Sequence, residues 1–132
     1  GDQFLDNLQI WRDQMALGLT TWAEMPEPSR SDCHAWGASP NIEFYRILLG
    51  IDSDAPGFRK IRIAPSLGKL KEVSGTIPHP LGSVTAAYKL DERGEGTARL
   101  VLPEGTTGIF IWDGKEIPLK PGEQVISLSL RH

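Results

Sequence analysis

Between Asp2 and Gly18 the apolar residues Phe4, Leu8, Trp11 and Met15 recur at three- and four-residue steps, the spacing that lines one face of an α-helix. The pattern predicts a helix over 2–18, with Gly18 as its C-terminal stop. A second helical pattern opens at Ser39-Pro40 and runs through Ile42, Tyr45, Leu48 and Leu49 to Gly50. Ser39 is placed to cap this helix, and Pro40 takes the first helical position, where the missing N–H forfeits no bond. After it, Asp52-Ser53-Asp54-Ala55-Pro56-Gly57 reads as a turn-rich linker, and the period changes from helical to alternating. A domain boundary is expected there, dividing a helical unit at 1–56 from a β unit at 57–132.

Beyond Gly57 about seven short strands, separated by turn signals, predict an antiparallel β-sandwich, giving a mixed α and β chain. The clearest strand is Ser83 to Leu90, with Val84, Ala86, Tyr88 and Leu90 on one face; Ala98, Leu100 and Leu102 form another face, and Ile126, Leu128 and Leu130 a third. Asp113-Gly114, between Phe110-Ile111-Trp112 and Glu116-Ile117, is a two-residue hairpin signal, because both central positions of that turn need positive φ. Pro121-Gly122 marks a second turn.

A chain of 132 residues with 39% hydrophobic content can bury one small core, but it cannot house two ordinary domains. Any second unit is therefore expected to be partial. An opening Gly1-Asp2 that runs almost at once into a helix implies a piece taken from a longer polypeptide. The net charge of -3, with acidic and basic residues interspersed, offers no basic stripe for a nucleic-acid backbone. No apolar run approaches bilayer-spanning length. A single cysteine, Cys33, rules out an intrachain disulfide framework. The compartment stays open between periplasmic, extracellular and cytoplasmic.

Candidate chemistry gathers between the two helices. The loop from Leu19 to Ala38 exceeds the ~12–15 residues beyond which connectors are usually functional or disordered. It carries Trp22, Glu24, Glu27, Arg30, Asp32, His34 and Trp36. Aromatic faces stack on the C–H side of sugar rings, carboxylates and His or Arg bond hydroxyls, and paired carboxyl groups cleave glycosidic bonds. Each residue also has a plainer role: the tryptophans as packing at the junction, Glu24 and Glu27 as solvated charges, Ser31 or Asp32 as turn residues. Cys33-His34 lacks the partner ligands of a metal site. It also lacks an activated-thiol environment, so Cys33 is expected to be a small buried packing residue.

Thr20-Thr21-Trp22-Ala23-Glu24 resembles the Thr-Thr-x-x-Glu segment of the bacterial α-L-rhamnosidases of glycoside hydrolase family 78, and Arg30-Ser31-Asp32-Cys33-His34-Ala35-Trp36 resembles the Ser-x-x-His stretch that follows it. The likeness continues through Phe44–Ile51, Pro56–Pro65 and Gly75–Gly82. It implies that the two helices are the last part of an (α/α)6 catalytic barrel, followed by the C-terminal β-sandwich. The activity it implies is cofactor-free, inverting hydrolysis of terminal α-L-rhamnosyl linkages on a rhamnose-containing glycoside. By the same resemblance Glu24 stands at the general base, with Glu27 as its rival because Ala23 replaces the tryptophan that often precedes that glutamate. His34, Trp36 and Asp32 stand at sugar-binding positions. The general acid lies upstream in the family, so the chain is expected to be inactive alone. The alternatives are a noncatalytic carbohydrate-binding or structural β-sandwich, with a groove across the sandwich lined by Trp112 and Tyr88, and a helical-barrel glycosidase acting on another sugar. A two-helix remnant is further expected to leave the faces of Phe4, Trp11 and Tyr45 without their usual partners, so that the chain either pairs with another copy or packs its helices onto the sandwich.

Overall fold

The structure, a computed structural model, describes residues 1–129, so the inward position expected for Leu130 lies outside the described residues. Two helices, α1 (Asp2–Asn7) and α2 (Gln9–Ala16), open the chain where one was expected. The break is at Leu8. There the Leu5 carbonyl accepts the Leu8 N–H at 3.4 Å and the Arg12 guanidinium at 3.3 Å, so a side chain stands in the i→i−4 ladder. The break shifts which residues face inward. Leu5 and Gln14 are the buried positions, while Met15, predicted on the inner face, is 64% exposed. Gly18 does terminate the helix: its N–H reaches the Met15 carbonyl and that of Leu19 reaches Gln14, the two bonds of a Schellman motif.

The second helical segment is less regular than its periodicity suggests. A 3-10 turn at Ala35–Ala38 precedes α3 (Pro40–Glu43), which passes into a π turn at Phe44–Leu48. Ser39 already has helical φ and ψ and makes no side-chain capping bond, because the preceding turn supplies the entry. The π turn is closed by the Leu49 N–H on the Phe44 carbonyl at 3.1 Å. The wider turn buries both Leu48 and Leu49, whereas Ile42 ahead of it is 56% exposed.

Eight strands follow among the described residues: β1 (Ile51–Ser53), β2 (Lys60–Ile63), β3 (Glu72–His79), β4 (Gly82–Leu90), β5 (Gly96–Leu102), β6 (Thr107–Trp112), β7 (Lys115–Leu119) and β8 (Gly122–Leu128). They form two four-stranded sheets, ordered β1-β2-β6-β7 and β3-β4-β5-β8. The second sheet is antiparallel throughout. The first is mixed, because β2 and β6 pair in parallel, Ile61 opposite Gly108; the chain builds three strands of the other sheet before it returns. Seven strands lie beyond Gly57, as the alternation implies. The eighth, β1, begins at Ile51 and runs into the stretch read as a linker, and it pairs with β2, Ile51 opposite Ile63. The sheet therefore begins ahead of residue 57.

The inner faces meet as predicted for β4 and β5. Val84, Ala86, Tyr88, Ala98, Leu100 and Leu102 pack against Ile61, Ile63 and Phe110 of the facing sheet, and the Tyr88 and Phe110 rings stack at 6.4 Å. Asp113 and Gly114 take φ of 49° and 71°, closing the β6–β7 hairpin. The helical segment docks on this sandwich. Tyr88 donates its hydroxyl to the Leu49 carbonyl at 2.7 Å, satisfying an orphan acceptor at a helix end. Gly75 lets Leu49 and Tyr45 approach β3, since a Cβ there would stand 2.6 Å from Leu49 Cδ1. At the other end the Lys69 N–H bonds Asp2 at 2.7 Å.

Three of the residues on these faces find partners within the chain, while Met15 on the same stripe stays exposed. Phe4 meets Phe44 edge-on at 5.1 Å, Trp11 bonds the Gly37 carbonyl at 2.6 Å, and Tyr45 packs on the core. The helical segment thus packs onto the sandwich and onto the loop, one of the two outcomes expected for it. No helix among the described residues is long and apolar enough to cross a membrane.

Candidate active-site loop

The loop between α2 and α3 is a folded hairpin. Its arms are joined by the Glu24 N–H on the Ser31 carbonyl at 2.9 Å and the His34 N–H on the Trp22 carbonyl at 2.8 Å. Thr21 adds a hydroxyl bond to the Asp32 carbonyl. Two contacts fasten this hairpin to α2. The buried Gln14 accepts the Ala23 N–H at 2.9 Å, and Trp11 Nε1 donates to Gly37. A buried amide on the inner helix face is a costly choice unless it has a partner, and Gln14 finds it in the loop backbone. Gln14 was assigned no role from sequence and Trp11 only a place on the apolar stripe, since a hydrogen bond to backbone leaves no mark in side-chain spacing.

The predicted site residues separate into two groups. Glu24, His34 and Trp36 gather at the base of the hairpin. The Glu24 side chain is only 5% exposed. Trp36, 61% exposed, donates Nε1 to the Glu24 carbonyl at 3.2 Å. The His34 and Trp36 rings lie 4.1 Å apart at a 34° tilt, with His34 half-buried. Glu27 and Asp32 are both exposed. Glu27 lies towards the tip, where its carboxylate accepts the Ser29 N–H at 3.2 Å. Cys33 is exposed, not a buried packing residue; it lies on a hairpin arm rather than in a core. Trp22 comes closest to the plain packing role, half-buried beside a cavity of about 230 Å³ that it lines with Leu8, Trp11, Met15 and Phe44.

Arg30 was read from sequence only as one of the loop's polar groups. Its guanidinium clasps Glu24 with two bonds, Nε to Oε2 at 3.0 Å and Nη2 to Oε1, while its own side chain remains 74% exposed. Among the described residues no cluster of three or more His, Cys, Asp or Glu is disposed to hold a metal ion. A groove lined jointly by Trp112 and Tyr88 does not form across the sandwich: Tyr88 is 1% exposed inside the core, and Trp112 turns its Nε1 to the Ser129 carbonyl.

Residues 50–124 match the family described as bacterial alpha-L-rhamnosidase C-terminal domain. No curated protein matches the sequence. Solved structures that share the fold include three α-L-rhamnosidases. The native α-L-rhamnosidase of Aspergillus terreus superposes with a TM-score of 0.80 at 20% identity, covering 89% of this chain and 15% of that one. That of Dictyoglumus thermophilum gives 0.77 at 18% identity, over 89% of this chain and 17% of its own. The Streptomyces avermitilis enzyme, solved in complex with L-rhamnose, gives 0.66 at 21% identity, over 91% and 14%. At such identities the likeness speaks to the fold. It covers more than the residues after Gly50 can supply, so it reaches into the helical part.

Proposed function

The chain belongs to the bacterial α-L-rhamnosidase C-terminal domain family, and on that premise we propose that it works within a longer glycoside hydrolase, to which it supplies one half of the active site. In this reading the parent cleaves a terminal α-L-rhamnosyl linkage with inversion, and Glu24 is its general base. The observation that carries the proposal is that the Trp36 indole, beside the His34 ring, bonds the Glu24 backbone at the hairpin base, with Glu27 set towards the tip.

The division of labour follows from the chemistry. An inverting enzyme needs one carboxylate to take a proton from water as that water attacks the anomeric carbon. A carboxylic acid about 6.5–9.5 Å away protonates the departing oxygen. Trp36 offers an exposed indole to the C–H face of a pyranose. The half-buried His34 can bond a ring hydroxyl, and Asp32, exposed on the adjoining arm, can reach a further one. The acid comes from elsewhere in the parent, consistent with a chain that spans only 14–17% of the solved relatives. Rhamnose as the sugar is supported by the family and by the L-rhamnose complex of the Streptomyces avermitilis relative.

In the full-length parent, Glu24→Gln should lower kcat on an aryl α-L-rhamnoside by about 10²–10⁴-fold, the range that general-base assistance supplies. A loss of that size in Glu27→Gln with normal turnover in Glu24→Gln would transfer the role to Glu27. Turnover by the purified 132-residue chain would refute the half-site reading.

A further inference from the structure

The carboxylate of Glu24 is withdrawn from water yet bonded by a side chain that is not. Only 5% of the Glu24 side chain is exposed against 74% of Arg30, so packing holds the glutamate but does little to hold the arginine. What fixes Arg30 is the hairpin. Its neighbour Ser31 accepts the Glu24 N–H at 2.9 Å, and the Ser29 hydroxyl bonds the same Ser31 carbonyl at 2.9 Å. The backbone just after Arg30 is therefore tied to the arm that carries Glu24, and Ser29 braces the turn that precedes it. The guanidinium then meets the carboxylate fork to fork, one N–H to each oxygen.

That arrangement does something a single contact cannot. A bidentate fork fixes the plane of the carboxylate, leaving on each oxygen a remaining lone pair in a set direction. Lys in the same place would supply one movable point charge. A general base acts only when its lone pair is aimed at the proton it removes, and small misplacements cost large factors in rate.

We propose that Arg30 is the positioning residue of this site, orienting the Glu24 carboxylate towards the attacking water through the two-bond clasp. The proposal rests on Glu24 being the base. In this role Arg30 takes no proton and contacts no substrate; it acts through the Glu24 carboxylate.

The test uses the full-length parent and four variants: Glu24→Gln, Arg30→Met, Arg30→Lys and the double variant Glu24→Gln/Arg30→Met. Arg30→Met should lower kcat by about 10²-fold with little change in KM, the cost of a misaimed group. Arg30→Lys should lose less than Arg30→Met but remain below wild type, because charge returns without the fork. In the Glu24→Gln background the same Arg30→Met change should cost almost nothing further, since its effect runs through the carboxylate. A merely structural arginine would add its full cost in both backgrounds, and that additivity would overturn the proposal. Normal turnover in Arg30→Met beside an inactive Glu24→Gln would overturn the role of Arg30 while leaving the base reading intact. Normal turnover in Glu24→Gln would overturn both.

Discussion

Ile61, Ile63, Val84, Ala86, Leu100 and Phe110 of the sandwich are each withdrawn completely from water, whereas in α1 and α2 only Leu5 and Gln14 are buried. The sandwich is held by an apolar interior that grows as each strand adds its inward residues. The helix–loop region is held by individual polar bonds: Gln14 to Ala23, Trp11 to Gly37, Asp2 to Lys69 and the Arg30–Glu24 clasp. The difference matters for function. A cooperative core gives rigidity without placing any particular side chain at the surface, while discrete hydrogen bonds can hold a half-exposed loop with its charged groups in fixed positions.

The sharpest test of that contrast is Phe110→Ala. Phe110 stacks with both Tyr88 and Trp112 at 6.4 Å, and its loss should destabilise the chain by about 3–5 kcal/mol through the cavity left behind. Urea denaturation followed by tryptophan fluorescence measures this, and a cost below about 1 kcal/mol would deny the sandwich its role as the stabilising core.

Tyr88→Phe probes the junction of the two regions. It removes the hydroxyl from a buried carbonyl, at a cost of about 1–3 kcal/mol. It also carries a signature in pH. Burial pushes the Tyr88 phenol well above its ordinary value, so the folded state resists forming the phenolate. The associated stability is complete below the unfolded value of about 10 and declines as pH rises beyond it. Denaturation of the two proteins across that range should show a steeper alkaline decline in wild type than in Tyr88→Phe; parallel slopes would contradict the burial argument.

The smallest global effect is expected from Gln14→Ala. It strands the Ala23 N–H, a local penalty of about 1–3 kcal/mol, but it opens only the loop. Amide exchange should quicken across residues 20–34 while β4 and β5 keep their protection and the urea midpoint scarcely moves. A matching loss of protection in β4 and β5 would merge the two regions into one cooperative unit and break the comparison.

The inward faces of β4 and β5, the Asp113-Gly114 hairpin and the helix stop at Gly18 were all legible in the sequence. Their signals are local: alternation over a few residues, or a backbone angle that few residue types adopt. The break at Leu8 was not, because it depends on the Arg12 side chain reaching the Leu5 carbonyl, and periodicity carries no information about such a reach. The strand at Ile51–Ser53 was hidden for a related reason. Three residues among turn formers show no alternation, and only the distant β2 makes them a strand.

The candidate site divides along the same line. Its residue types, its confinement to 19–38 and the rank of Glu24 ahead of Glu27 came from the order of residues in the loop and its resemblance to a known motif. That Arg30 faces Glu24, that His34 stacks on Trp36, and that Cys33 faces solvent were decided by the hairpin register and its bonds to α2. A sequence determines which side chains are present and which local backbone shapes are favourable. Which of them meet across a loop depends on non-local hydrogen bonds and burial, and these exist only once the chain has closed on itself.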